Sequence, residues 1–446
     1  MQPDSLLYIY LFLPFCLVVY YLIPQKGKNT VLLLLSLVAF LSLDIVFTPL
    51  LIASCLIDFV AGWVIEHNRD KNILCRFILC VAAAKDLATV AVMVVYRDFF
   101  GFVLPLGSIV VSLLSLSYVY DIYRCKAKAQ RNPVNMLTYT MMFPRLYYGP
   151  LTRYGQMEYD LNYRRASLSL LCDGLIQFIQ GLAKKVLIAD GITRVLDMIV
   201  RLPDYNQSIL SCWIYFLARV MWIYFFYCGY LEMGAGLCMV FGFNVRSGFH
   251  HPYMAKSIGS FLSRFNNSLQ EYVERYFYDP LSARIRVRWI KPLAVFLSLL
   301  IVCLFYRASV NMILGALLLA LVLCLEQRSR SDSRRFHVPS ILAHLGVIAV
   351  LGLFMILVVT ESPAEAWSLL LHMFGLHVGG MELYNQQIIY ILTTNYVSLI
   401  VGVIFCTDIF ARLASKFSSS KSYLVNLAII IVNVLILVVT TSYLIG

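Results

Sequence analysis

Apolar residues in this chain come in long unbroken blocks, not at the spacing of a surface helix. VLLLLSLVAFLSLDIVF (31–47), PLAVFLSLLIVCLFY (292–306), MILGALLLALVLCLE (312–326) and LVNLAIIIVNVLILVVTTSYLIG (424–446) are hydrophobic on every face. Crossing the hydrocarbon core takes about 20 helical residues, and lipid offers no partner to an open strand edge. The blocks therefore predict spans near 6–24, 30–47, 49–66, 74–96, 102–120, 168–200, 208–243, 292–306, 308–326, 338–360, 386–411 and 423–444. Boundaries are soft, and the pattern amounts to about 11 crossings in an all-α integral membrane fold, read as one polytopic domain over residues 1–446. Residues 6–24 follow Asp4 with no basic leader or small-residue cleavage motif, so they read as a retained span. The segment 133–154 is punctuated by Pro144, Gly149 and Pro150 and reads as re-entrant.

One stretch has a different pattern. Across 255–283, Ile258, Phe261, Leu262, Phe265, Leu269, Tyr272, Val273 and Tyr276 recur at helical spacing. Ser263, Arg264, Asn266, Asn267, Gln270, Glu271 and Glu274 fill much of the rest. This predicts an amphipathic helix, too polar to cross lipid alone, lying at the interface or lining an aqueous funnel inside the bundle.

Composition agrees with the blocks. Hydrophobic residues make up 61% of the 446 and charged residues 13%, against roughly 25% charged in soluble domains. The net charge of +12 sits largely in short loops, as positive-inside topology requires. Lys126, Lys128 and Arg131 form one basic loop; Arg284, Arg286, Arg288 and Lys291 a second; Arg328, Arg330, Arg334 and Arg335 a third. The last two flank the 292–326 hairpin, so its ends share the cytoplasmic side and its tip at Tyr306-Arg307 lies deep in the membrane or across it. No basic stripe interleaved with aromatics on a polar domain is present, which argues against nucleic acid.

Candidate chemistry is sparse. The twelve cysteines include no C-x-x-C pair and read as small apolar residues. His67, His337, His344, His372 and His377 are scattered without carboxylate partners at ligand spacing, so no metal site is expected. His250 and His251 sit in a Gly-Phe-His-His-Pro turn that reads as loop packing. Glu232, a carboxylate in an apolar helix, is a functional candidate by default and could pair with Arg219 or Arg307. Asp121 and Arg124 read as a helix-end clamp, and Lys184-Lys185 as an interfacial anchor.

Several segments, in order, resemble the membrane-bound O-acyltransferase family, in its bacterial branch of alginate O-acetyltransferases and D-alanyl-lipoteichoic acid transferases. They are YLFLPFCLVVYYLIPQKGKNTVLLLLSLVAF (10–40), LPLGSIVVSLLSLSYVYDIYRCKAKAQRNPVNMLTYTMMFPRLYYGPLTRY (104–154), GLAKKVLIAD (181–190), FYCGYLEMGAGLCMVFGF (226–243) and FHHPYMAKSIGSFLSRFNNSLQEYVERYFYDPL (249–281). The likeness centres on a core of about 104–378. It implies a multi-pass helical bundle with re-entrant and amphipathic helices around a central funnel. It also implies a cytoplasmic acyl thioester, on coenzyme A or an acyl carrier protein, as co-substrate and no resident cofactor. The implied acceptor is a hydroxyl of an envelope glycan or polymer, the implied partners are the bilayer, an acyl carrier protein and glycan-modification proteins, and the implied location is the cell membrane.

In that family a histidine in a Leu-Trp-His-Gly motif acts as general base, a task suited to its pKa of about 6.5. The matching stretch here is CLFYRAS (303–309), with Tyr306 at the histidine and Arg307 at the glycine; Asn266 and Leu319 stand at two further family histidines. A phenol of pKa about 10 is a poor base at neutral pH, and an amide is none. By the resemblance Tyr306 and Asn266 are the positions of catalysis, with Arg307, Glu232, Arg145, Arg153 and Tyr154 on the substrate side; Arg145, Tyr148, Pro150, Arg153 and Tyr154 match the re-entrant donor-side segment. Two readings stay open: acyl transfer through a rebuilt site in which Arg307 lowers the phenol's pKa, or a catalytically silent relative that scaffolds or gates an envelope-polymer machine.

Overall fold

The computed structural model describes residues 3–43, 45, 47–100, 107–146, 149, 151–164, 167–202, 208–245, 248–284, 291–331, 340–376, 382–408 and 423–445. Tyr148, Pro150, Arg286, Arg288, Arg334, Arg335, His337 and His377 lie outside the described residues. Within them the chain is helical, with one isolated bridge between Ser208 and Glu382. Among the described residues, five helices are long and apolar enough to cross a membrane: Phe47–His67, Ile209–Val240, Val310–Arg328, Gln386–Cys406 and Val425–Ile445. Shorter apolar helices cover Tyr8–Leu22, Gly107–Tyr123, Lys291–Tyr306 and Leu345–Val359. The chain is thus a multi-pass helical membrane protein.

Its contacts gather into two compact units. The first comprises Met1–Leu182, Gly229–Ser247 and Asn433–Gly446; the second comprises Ala183–Cys228 and Gly248–Val432.

In the first unit α1 (Leu13–Leu22), α2 (Lys28–Leu41), α3 (Phe47–His67), α4 (Asn72–Phe100) and α5 (Gly107–Tyr123) follow one another. α5 is buried almost all round, its small serines Ser108, Ser112, Ser115 and Ser117 included. The punctuated segment forms α6 (Pro133–Met141), started by the Asn132 side chain accepting from Val134 N, and then a single 3₁₀ turn at Phe143–Arg145. α7 (Tyr154–Tyr163) and α8 (Leu168–Ala183) complete the run. α10 (Ile209–Val240) ends in this unit, where Tyr20 and Tyr21 each donate a 2.7 Å hydrogen bond to its last carbonyls, at Phe241 and Val240.

The second unit begins with a π-helical turn at Lys184–Ala189, α9 (Asp190–Val200) and the first two thirds of α10. The stretch expected as one amphipathic helix is broken in two. α11 (Ile258–Arg264) stops at Phe265, and α12 (Asn267–Val273) restarts after Asn266, whose φ of 51° is left-handed. A loop wedges against the break: His250 N donates to Arg264 O, and Asn267 N to Gly248 O. A π turn (Glu274–Tyr278) and α13 (Asp279–Arg284) follow. The hairpin of α14 (Lys291–Tyr306) and α15 (Val310–Ser331), then α16 (Ser340–Val359), α17 (Pro363–Met373) and α18 (Gln386–Cys406), close the unit; α19 (Tyr423–Ile445) is divided between both units.

Candidate functional site

The hairpin tip is fastened before it is functional. At the start of α15, Asn311 Nδ2 donates to Thr360 at both its carbonyl and its hydroxyl, 3.0 Å each. Arg307 forms a 3.0 Å ion pair with Glu361. The Ser362 side chain caps α17 by accepting from Glu365 N, and Glu365 accepts from Glu361 N at 2.8 Å. Two helix ends and the tip are thereby tied at one level.

Behind this tie lies a cavity of about 300 Å³, lined by α10, α11, the hairpin and α16. α10 turns Tyr215, Arg219, Trp222 and Tyr227 into it; α14 contributes Leu299, Cys303 and Tyr306; α15 contributes Met312 and Leu319. Arg307, Glu361 and Glu365 form its charged rim. On the hairpin the lining runs from Leu299 to Tyr306 and from Met312 to Leu319, a depth of about 10 Å at ~1.5 Å per residue. On α16 it runs from Phe354 to Val359. The cavity therefore occupies the tip-side half of these three helices, away from the basic hairpin ends.

Asn266 and Tyr306 meet here, forty positions apart in sequence. Asn266 Nδ2 donates to Tyr306 Oη at 2.8 Å, while Asn266 Oδ1 accepts from Ser268 Oγ at 3.0 Å and from Leu269 N at 3.3 Å. The amide is engaged at both its nitrogen and its oxygen, and it is 5% exposed. The Tyr306 ring is held edge-on by Tyr227 at 4.7 Å and Phe305 at 5.5 Å, with Phe265 at 6.0 Å. Because the phenol oxygen accepts from Asn266, its own hydrogen is the one it can offer to a ligand. The pair can donate a hydrogen bond into the cavity but supplies no base at neutral pH. Leu319 is apolar and lines the same space.

Arg219 emerges as a feature that the motif comparison passed over except as a partner for Glu232. It lies within a long apolar helix, 5.7 Å from the Tyr215 ring and 5.8 Å from the Trp222 ring, with Nε 3.4 Å from Tyr215 Oη. Among the described residues it has no ion-pair partner. The signal was available in sequence, since a cation inside a membrane helix faces a cavity or a partner. Glu361 carried no such signal: it pairs with Arg307 across 54 positions.

The other expected substrate-side residues belong to the first unit. Arg145 is 1% exposed and donates to the Tyr139 carbonyl at 3.1 Å, to Thr152 Oγ1 and to Met157 Sδ. Tyr154 is fully buried between Tyr118 and Tyr139, with ring centroids at 4.8 and 5.2 Å. These two side chains clamp the turn after α6. Arg153 is half-buried at the start of α7. Glu232 is buried beside Gly181, and the carboxylate paired with Arg307 is Glu361 instead.

Comparison with known proteins points the same way as the motifs. The family model described as MBOAT, membrane-bound O-acyltransferase family, matches residues 124–302, a stretch that contains Asn266 and ends just before Tyr306. The chain is 29% identical over 294 residues to "Probable alginate O-acetylase AlgI" of Azotobacter vinelandii, covering 62% of this chain and 58% of that protein. To the protein of the same name in Pseudomonas fluorescens it is 29% identical over 315 residues, 70% and 63% of the two chains. The match thus spans less than two thirds of the length of either relative. Against "Peptidoglycan O-acetyltransferase" of Helicobacter pylori the identity is 24% over 429 residues, covering 83% of this chain and 79% of that one.

Proposed function

We propose that the chain, which resembles the membrane-bound O-acyltransferase family, serves the O-acylation of an envelope glycan or polymer at the cell membrane, as a member that binds at the family's site but scarcely turns over. The observation that carries this reading is the 2.8 Å hydrogen bond between Asn266 and Tyr306. Two positions that match family histidines are spent on each other, and neither side chain takes up a proton at neutral pH. The cavity's two carboxylates support it too: Glu361 is engaged by Arg307, and Glu365 accepts from the Glu361 backbone. On this reading the cavity receives a glycan or polymer acceptor at the tip side, and a thioester on coenzyme A or an acyl carrier protein is handled by a partner enzyme.

A second reading, transfer through Tyr306 itself, draws on the phenol hydrogen left over for a ligand. It is weakened by Arg307, whose guanidinium is engaged by Glu361.

The test is acyl transfer from a thioester to a model hydroxyl acceptor by the purified protein. Wild type is expected to show little transfer. The triple change Asn266→His, Tyr306→His and Arg307→Gly is expected to raise it if the surrounding pocket is intact. Robust wild-type transfer that Tyr306→Phe abolishes would refute the silent reading and establish the second one.

A further inference from the structure

The first unit holds a buried charge cluster that plays no part in the cavity. Asp58 lies on α3, and Lys85 and Asp86 are neighbours on α4; Asp58 is 0% exposed and Asp86 1%. Lys85 Nζ is 2.5 Å from Asp58 Oδ2 and 2.9 Å from Asp86 Oδ1. It also donates to the Ser54 carbonyl at 3.0 Å and to Ser54 Oγ at 2.8 Å. Along α3 the cluster is about 14 Å from His67, and along α4 about 20 Å from Asn72. That places it near the middle of a hydrocarbon core roughly 30 Å thick.

Charge and hydrogen-bond donors are short by the same amount. Two carboxylates face one ammonium, leaving a net negative charge among apolar helices, where an unbalanced charge is strongly disfavoured. An ammonium has three hydrogens, and Ser54 and Asp58 use them. Asp58 Oδ1 and Asp86 Oδ2 are then buried without a hydrogen-bond donor, and Asp86 Oδ1 meets the lysine as an ion pair with no hydrogen bond of its own. One proton on the carboxyl pair repairs both deficits, because it neutralises the cluster and its O–H reaches an orphaned oxygen. A metal cation would need several oxygens together, and those of Ser54 are committed to the lysine.

We propose that Asp58 and Asp86 share a single proton beside Lys85, forming an intramembrane proton-binding site. The helices packed on α3 and α4 are α2, α5 and α6. The titratable side chains beside the cluster are Cys55 on α3 and Tyr118 on α5. The described basic side chains on these elements, Lys28, His67 and Arg76, form no ion pair with either aspartate, and among the described residues Lys85 is the cation that pairs with them. The proton is bound in the folded state, so the stability it confers is present at lower pH and lost as pH rises through its release. The site thereby ties the packing of α3 against α4 to pH, independently of whether the cavity transfers acyl groups.

Infrared spectroscopy of the full chain in lipid vesicles tests this. Wild type at neutral pH is expected to show a protonated-carboxyl stretch that disappears in Asp58→Asn and Asp86→Asn and on alkaline titration. Its melting temperature should fall as pH rises, while Asp86→Asn, whose amide N–H replaces the carboxyl O–H, should give a flat profile. Should neither variant fold, wild type carrying carbon-13 aspartate gives the reading, because the band must shift with the label. A wild type lacking the band, a band untouched by both substitutions or by the label, or a melting temperature that follows sodium instead of pH overturns the proposal.

Discussion

At Asn266 three demands meet on one side chain: a left-handed backbone, the cap of α12 and the orientation of Tyr306. Asparagine answers all three, because its short amide tolerates positive φ and carries both a donor and an acceptor. Asn266→Gly keeps the backbone and loses the side chain, whereas Asn266→Ala loses both. Alanine is therefore expected to cost about 1–2 kcal/mol more than glycine, read as the difference in unfolding in detergent. An alanine variant as stable as the glycine one would show that the backbone there is not left-handed. Positions 266, 306 and 319 drew notice in sequence because the family resemblance aligned them with histidines. The resemblance led one to expect the hairpin tip and the 255–283 helix to meet, but not the direct Asn266–Tyr306 bond, because nothing near either residue encodes the left-handed turn that aims the amide at the phenol.

Among the helices, the clearest constraint is a seam of small residues. A Cβ at Gly236 on α10 would sit 2.6 Å from Gly174 O and from Phe178 N on α8; a Cβ at Gly181 would sit 2.7 Å from Gly229 O. These obstacles are backbone atoms, which cannot swing aside, and lipid supplies no hydrophobic drive to compensate for lost contact. Gly236→Leu is expected to cost about 1–3 kcal/mol or more through overpacking, or to prevent folding. Gly352 on α16, where an added Cβ meets nothing within 4 Å, is the control: Gly352→Ala should match or slightly exceed wild type by up to about 1 kcal/mol. Equal losses in both variants, measured by thermal unfolding, would dismiss the seam. The break between α11 and α12 carries a related lesson. Ile258, Phe261, Phe265, Leu269, Tyr272 and Tyr276 keep helical spacing straight through it, so periodicity reads one helix where the chain makes two.

For the whole molecule the open matter is orientation. The α14–α15 hairpin has Lys291 and Arg328 at its base and Arg307 at its tip, and the basic excess assigns the base to the cytoplasm. In intact cells a membrane-impermeant thiol reagent should label Ala308→Cys above the unsubstituted chain and leave Gln327→Cys unlabelled. Labelling of Gln327→Cys alone would invert the orientation, and with it the face on which the cavity opens. Residence in the membrane and the helical crossings were determined by the sequence alone, because blocks of apolar residues are local properties of a chain. Only the tertiary structure decided that Arg307 is engaged by Glu361, that the cavity is confined to the tip-side half of its helices, and that Asp58 faces Lys85. Those facts depend on helix rotation and on one left-handed turn, and side-chain spacing along a single helix encodes neither.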